Sequence, residues 1–428
     1  MKKFKLFIIA TIVAFGNIAY AQSGLNSPYS RFGLGDLHGE NVNAQLQSMG
    51  GISIGMSDAT LVNPGNPASY AAFDTTAITF EAGIVANYLN LRTNQFSEST
   101  NGATLSYIMF GFPINKWWKT SFGIMPFSTV NYNIEINVDM SEYNFSNIVN
   151  DLVGEGGINR INWGNAFKIG NNFRVGIDAS YLFGTGSRSS KIFFLDSLNI
   201  YGTNVQSKVN VSSFIFDYGL QYDLHLKNKN ILTLGAIYAN KFNANAKRNY
   251  LASTITGGYY DVVEENIDTI DYRPDEKGTL TIPTRLGFGA VYKRPGSFLV
   301  GADVEWQQWS DYSAFGLADT LQNTLRLAVG GQYIPKHTSI SSLLKRMTYR
   351  MGARYEQSYL KVNGNQIDEF GISFGVSFPM KKSKTALDLG FEVGRRGTLK
   401  NNLIQENFFN VNFGISIQEN WFYKRKYN

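Results

Sequence analysis

The chain has 428 residues, of which 17% are charged, 43% hydrophobic and 14% aromatic, with 42 Gly and no Cys. A mean hydropathy of −0.17 excludes a bundle of transmembrane helices, each of which needs about 20 mostly apolar residues, and so little charge with so many aromatics argues against disorder. Zero Cys removes a disulfide scaffold, a thiol nucleophile, a Cys-ligated metal and a lipid-bearing N-terminal Cys.

The first 21 residues read as a secretory signal peptide. Lys2, Lys3 and Lys5 precede the apolar run Leu6–Gly16, and Ala19 and Ala21 supply small residues before a cleavage point, so the mature chain is expected to begin at Gln22. Eleven apolar residues are too few for a membrane anchor. Removing the signal leaves 36 basic against 33 acidic residues, a net +3, which implies no nucleic-acid partner.

Residues 22–76 show little alternation and many Gly, Asn, Pro and Ser. A stretch this long before the first strand is expected to fold into the lumen of a barrel as a hatch. It contains Met49-Gly50-Gly51, Asp58-Ala59 and a doubled Asn63-Pro64-Gly65-Asn66-Pro67-Ala68 element. Asn before Pro favours turns, because Pro fixes φ and Asn bonds to nearby backbone. Asp58, Asn63, Pro64, Asn66 and Pro67 are therefore the hatch and turn candidates, against the plainer reading of a loop.

From residue 77 onward the chain alternates with period two. Phe173, Val175, Ile177, Ala179, Tyr181 and Phe183 oppose Arg174, Gly176, Asp178 and Ser180; Phe370, Ile372, Phe374, Val376 and Phe378 oppose Gly371, Ser373, Gly375 and Ser377. Alternation over about ten residues marks a strand crossing a membrane within a barrel; strands of soluble sandwiches are usually about five or six residues. Fourteen strands are expected, near 77–92, 103–114, 119–133, 159–170, 173–187, 206–226, 230–246, 279–293, 298–310, 322–334, 347–361, 366–379, 385–397 and 404–418. The expected fold is all-β: a 14-stranded antiparallel transmembrane β-barrel over 77–428, with the N-terminal hatch in its lumen and both termini in the periplasm. Every second connection is then a periplasmic turn, mostly tight, while 134–158, 188–205 and 247–278 are long outer connections. The run Phe145–Val153 is expected to add a turn or two of helix there.

Trp117, Trp118 and Trp421 fall at the expected periplasmic ends and Trp163, Trp306 and Trp309 at the outer ends, as aromatic girdles require. Pro126 lies in the third strand, where a residue without an N–H breaks the ladder or sits harmlessly near a strand end. Glu81, Asp178, Asp388, Glu392 and Arg174 face inward and are expected to pair with each other or with the hatch. Asp261, Glu264, Glu265, Asp268, Asp271, Asp275 and Glu276 cluster in the longest outer connection without the spacing of a calcium loop, which favours a solvated surface. His38, His225 and His337 are far apart, and no HExxH, GxSxG or P-loop pattern occurs. No catalytic residue, metal or cofactor is expected.

The hatch motifs resemble those of the FadL-type outer-membrane transporters of long-chain fatty acids and other hydrophobic compounds, whose hatch carries a Gly-rich stretch, Asp-Ala and Asn-Pro-Ala. Here those are Met49–Gly51, Asp58-Ala59 and Asn66–Ala68. Ile282–Gly289, Asp303–Ser310 and Leu325–Tyr333 resemble later strands of the family in the same order, and Ser27–Asp36 resembles a variant of Bacteroidetes-type members. The resemblance implies a bacterial outer-membrane location among lipid and lipopolysaccharide. It also implies a hydrophobic small-molecule ligand and a lateral exit at the kinked third strand, near Pro126. Two functions follow. One is passive uptake of a hydrophobic compound. The other is an accessory or structural role in a larger outer-membrane assembly (secretion or biogenesis machinery), for which Bacteroidetes-type relatives are used. An apolar channel through the hatch would favour the first, a sealed polar lumen the second. An outer-membrane hydrolase would need a Ser–His site near the rim, and none has plausible spacing.

Overall fold

The computed structural model describes residues 25–38, 43–139, 147–195, 200–256, 265–339, 341–380 and 384–421. The expected signal peptide and Gln22 lie outside the described residues, as do Phe145, Asp261 and Glu264.

Fourteen antiparallel wall strands close into a barrel. In chain order, β1 (Asp36–Leu37) belongs to the N-terminal segment, and the wall begins with β2 (Ala77–Arg92) and β3 (Ser97–Pro113). Next come β4 (Trp118–Thr129) continued by β5 (Tyr132–Val138), then β6 (Ile148–Ile169), β7 (Phe173–Phe194) and β8 (Gly202–His225). β9 (Ile231–Ala239) is continued by β10 (Phe242–Thr256), and β11 (Glu265–Ile282) by β12 (Arg285–Arg294) across Pro283, which cannot donate to a ladder. β13 (Phe298–Gln307) is followed by the small hairpin of β14 (Ser313–Ala314) and β15 (Leu317–Ala318). β16 (Thr324–Tyr333), β17 (Thr348–Val362), β18 (Asn365–Pro379), β19 (Ala386–Gly397) and β20 (Gln405–Asn420) complete the wall. The seam is long: β2 pairs with β20 from Ala77↔Asn420 to Arg92↔Gln405.

Alternation sorts the two faces. On β18, Phe370, Ile372 and Phe374 are exposed while Gly371, Ser373, Gly375 and Ser377 are buried. Phe214, Phe216, Tyr218, Leu220 and Tyr222 form an exposed stripe on β8, and Phe288, Val300, Val329 and Phe413 extend the same surface around the wall. Exposed apolar side chains in register across successive strands match the outward band of a membrane barrel, whose solvent is lipid. Among the described residues no helix is long and apolar enough to cross a membrane.

Three expectations need correction. The supposed long outer connections are largely strand: β6 and β7 pair from Ile148↔Phe194 to Ile169↔Phe173, and β10 and β11 pair from Phe242↔Ile282 to Thr256↔Glu265. Gly- and Ser-rich stretches there read as loops, yet cross-strand hydrogen bonding carries them on past the apolar band. For the same reason Ile148–Val153 is the start of β6, not a helix. Two tryptophans are also misplaced as outer girdle residues. Trp163 is exposed but lies six residues before Ile169, the turn-side end of β6, with its Nε1 donating to Thr120 Oγ1 at 3.1 Å. Trp309 is 1% exposed and packs on Tyr312 and Tyr359. Alternation cannot distinguish a ring facing lipid from one turned into a capped lumen.

Candidate functional site: the plugged lumen

The N-terminal segment runs the length of the barrel. Leu25–His38 lies at the loop end, Asn43–Thr76 fills the lumen, and the Trp421 N–H bonded to Thr76 O ties its far end to the turn end.

The wall gives up side chains to let the lumenal segment in. On β3, β6 to β9, β12, β13 and β16 to β20, an inward glycine stands so close to this segment that a Cβ would collide with it or press hard on it. A Cβ on Gly330 would lie 2.1 Å from Met49 O, on Gly176 2.3 Å from Pro67 C, and on Gly235 2.1 Å from Ile54 O. Several of these glycines face each other across the ladder, as in Gly176↔Gly219, Gly330↔Gly352 and Gly375↔Gly390. The result is a glycine girdle on which backbone lies against backbone. Above and below it, leucine, isoleucine, methionine and aromatic side chains fill the remaining gaps, among them Leu46, Met49 and Ile52 on one side and Tyr70, Phe73 and Met109 on the other.

Polar wall groups then satisfy the segment's own backbone. Asp303 Oδ2 accepts from Ser53 N at 2.6 Å and Ile54 N at 2.9 Å, and Glu81 Oε1 from Val62 N at 3.2 Å. Gln221 donates to Ile54 O and Met56 O, Lys119 Nζ to Ala71 O and Phe73 O, and Arg326 to Gly50 O. Inside a wall that excludes water, an unpaired backbone group costs about 1–3 kcal/mol, so these anchors fix the path of the chain.

Most of the expected turn residues come together. Asn63 Nδ2 donates to Ser53 O and Met56 O, and its Oδ1 accepts from Gly65 N. Asn66 Nδ2 donates to Ile54 O at 2.7 Å and to Leu220 O on β8 at 3.2 Å, while Oδ1 caps the 3₁₀ turn Pro67–Ala72 through Ala68 N. Both side chains therefore bind one stretch, Ser53–Met56, and Pro64 and Pro67 are buried beside them. Asp58 stands apart: it is exposed and, among the described residues, accepts from Thr60 N and Oγ1 in a local turn at the turn-end mouth. Of the inward charges, Glu81, Asp178 and Asp388 contact the lumenal segment through Asn43, Tyr70 and Gln45, Glu392 pairs with Arg354, and Arg174 pairs with Asp223.

A second closure sits at the loop end. Ser27 Oγ donates to Glu406, Tyr29 OH to Ile404 O, and Arg188 to Arg31 O and Gly33 O. β1 pairs with β4 through Asp36↔Thr129 and Leu37↔Ser128, and Arg396 reaches Asp36 at 2.8 Å. Gly35, at φ +94°, passes so near β4 that a Cβ would lie 2.4 Å from Thr129 O. Tyr29 and Leu34 join Trp309, Tyr312, Leu321 and Tyr359 in a buried cluster. Burial raises the Tyr29 phenol to about 12, and it pushes the His38 imidazole below its ordinary value against the opposing pull of Asp36. The form of Ser27–Asp36 thus has a physical reason: nearly every residue bonds, turns or packs at the rim.

Between the closures lies a chamber of about 400 Å³. Part of its wall is a ladder of charges in direct cross-strand register: Glu305↔Arg326, Arg326↔Glu356, Glu356↔Glu369, Glu369↔Arg396 and Arg396↔Glu406. Apolar residues, among them Leu89, Phe127, Ile215, Phe242 and Ile282, line much of the rest. Arg354 links Glu369 to Glu392, at 2.6 Å from the latter, and Arg285 reaches Asp217 at 2.9 Å. Of these residues the alternation singled out Glu392 as an inward charge; the register assembles the rest around it. Pro126 lines the same chamber. The β3–β4 ladder ends at Ile108↔Ile124, just before it, and the β4–β6 register shifts between Pro126 and Ser128. Beyond that point β4 keeps β6 on one side and meets β1 of the cap on the other.

The fold is that of known outer-membrane channels. The CymD monoaromatic hydrocarbon channel matches with a TM-score of 0.58 at 14% identity, over 92% of this chain and all of that one. A Pseudomonas aeruginosa FadL homologue matches with a TM-score of 0.59 at 14% identity, over 89% and 98%. The Pseudomonas putida toluene transporter TodX gives 0.56 at 14% identity, over 91% and 100%. Among curated protein sequences no significant match is found. At the level of sequence families the match is to BamG, whose model spans residues 1–428, and the chain belongs to the BamG family.

Proposed function

We propose that this chain is a sealed barrel of the bacterial outer membrane that serves as an accessory or structural subunit of a larger outer-membrane protein assembly, of the secretion or biogenesis type. In this reading residues 1–21 are removed, 22–76 form the hatch of the 77–428 barrel, and the short turns face the periplasm. The observation that carries it is the ion-paired ladder walling the chamber between two closures. A hydrophobic compound crossing it would strip water from those charges, and desolvating even paired charges is costly. A chamber crossed by so many fixed charges, between the cap and the lumenal segment, supports a body around which other proteins are arranged more than it supports a conduit. The test is purification in gentle detergent followed by mass spectrometry. A stoichiometric large protein partner is the expected result; a bound small lipid with no partner would overturn it.

A second reading, passive uptake of hydrophobic compounds, draws on one specific observation: the β3–β4 ladder stops beside Pro126, where a lateral exit would lie. Labelled fatty-acid uptake that falls on deletion of the protein would favour it.

A further inference from the structure

The connections at the turn end of the barrel carry basic charge and no acid. The six of them, 114–117, 170–172, 226–230, 295–297, 334–347 and 380–385, contain no Asp or Glu. They do carry Lys116, Lys227, Lys229, Lys345 and Arg346, among other bases. At the opposite end β11 carries Glu265, Asp268, Asp271, Asp275 and Glu276. Bases stand among them there, with Arg273 paired to Asp271 and Arg248 to Glu276, so acids and bases are mixed at the loop end while the turn connections carry bases alone.

The positive charge continues inside the wall. Beneath the lumenal segment a vestibule of about 370 Å³ is bounded by Ser57–Ala59 and by the turn-side ends of β6, β7, β12, β13 and β16. Four cations line it, Lys168, Arg174, Lys293 and Arg294, against two acids, Asp58 and Asp223. Both acids are already engaged. Asp223 accepts from Arg174 at 2.5 Å and from Thr233 at 2.6 Å, and Asp58 from Thr60. Lys293 Nζ donates to Ser57 O at 2.8 Å, with Asp58 as a nearby opposing charge. The Lys168 ammonium has no hydrogen-bond or ion-pair partner among the described residues, and Arg294 only a 3.5 Å contact to Asn228 O.

We propose that this vestibule and its basic lip dock an acidic peptide segment of a periplasmic partner protein. The proposal rests on the assembly reading above and names the chemistry of one partner. Position decides between two anionic candidates. Phospholipid headgroups surround the wall from outside, whereas the vestibule opens inside it, toward the aqueous compartment. An occupant must enter along the barrel axis, and a carboxylate-bearing chain segment does so while a lipid anchored in the leaflet does not. Complementary potentials steer such docking and make it sensitive to salt.

The test uses the full chain in nanodiscs of phosphatidylcholine alone, with a fluorescent oligoglutamate peptide read by anisotropy. Binding is expected at low salt and weakening as salt rises. The double variant Lys168→Glu/Arg294→Glu should weaken it about tenfold or more, and Lys168→Gln/Arg294→Gln by less. Lys247→Glu, exposed at the loop end, should leave it unchanged. Folding of each variant is checked by heat-dependent migration on gels. No binding at low salt, equal weakening by Lys247→Glu, or loss of peptide binding when phosphatidylglycerol is added would each overturn the proposal, the last by assigning the face to headgroups. The two readings fail separately. A wild-type protein that purifies with no large partner sinks the assembly reading. A partner retained equally by the charge-reversed variant sinks only the vestibule.

Discussion

The lumenal segment and the cap close the same barrel by opposite means. At the lumenal level the wall withdraws its side chains, leaving glycines, and its polar groups grip the backbone of residues 43–76. At the loop end the N-terminal segment brings the side chains, and Tyr29 and Leu34 sink into an aromatic cluster of the barrel and its connections. The first closure depends on shape and backbone hydrogen bonds. The second depends on packing and on a few largely buried ion pairs and hydrogen bonds. Damage should therefore be severe and global in one and local in the other.

The largest expected effect is on the girdle. Gly330→Leu or Gly352→Leu drives a side chain into Met49 backbone, which cannot swing aside. Overpacking of this kind costs about 1–3 kcal/mol, and here it should unseat the lumenal segment, raising ion conductance in planar bilayers. Deleting residues 22–76 should raise conductance further, and unchanged conductance would mean that the segment does not seal the lumen.

Next comes Asp303→Ala. It strands the Ser53 and Ile54 amides, at about 1–3 kcal/mol for each buried group left unpaired, and hydrogen exchange should speed up at residues 52–56. Arg396→Ala, its counterpart in the cap, removes the tie to Asp36. It should loosen residues 25–38 to proteolysis while conductance stays low, since the lower closure is intact. If Arg396→Ala raises conductance as much as Gly330→Leu, the two closures are one unit and the contrast fails.

A smaller effect is set by pH. His38 is held neutral by burial, with its Nε2 2.7 Å from Thr129 Oγ1 and Asp36 as the nearby opposing charge. The folded cap then binds fewer protons at this site than the unfolded chain does. Its contribution is fully present above the ordinary value of 6.5 and is lost as pH falls through that value toward the lower folded one. Protection factors in residues 25–38, which remove the intrinsic pH dependence of amide exchange, should fall below pH 6.5, and His38→Gln should flatten that dependence. The smallest change is expected from Asp74→Asn, which breaks a partly exposed pair with Lys384 at 3.0 Å. Surface pairs are worth about 0–1 kcal/mol, so its melting temperature should hardly move.

The wall was legible because lipid and lumen impose period two, and each of the fourteen expected strands corresponds to an observed wall strand or an interrupted pair. The reach of β6, β7, β10 and β11 beyond the membrane was not, since outside lipid no apolar alternation is needed and Gly–Ser stretches look like loops. Asn63 and Asn66 were readable as turn formers, though their shared target, the backbone of Ser53–Met56, was not. Glu356, Glu369 and Arg396 could be assigned to the inner face, but adjacency across strands 13 to 27 residues apart in sequence is a property of register. The glycines stood in plain view as composition. Their alignment with a second segment of chain is visible only in three dimensions.

That alignment bears on how the molecule is made. Residues 43–76 are synthesised before any wall strand, while the seam joining β2 to β20 needs the last strand of all. Clearance at the girdle is small: the lumenal segment meets the wall glycines through its backbone at Gly176, Gly235, Gly330 and Gly352 and through side chains such as Phe73, Tyr70 and Ser48 elsewhere. A fit this close is one in which β2 and β20 meet around a segment already in place. The lumenal segment is in that sense a mandrel: it sets the bore of the barrel that forms on it.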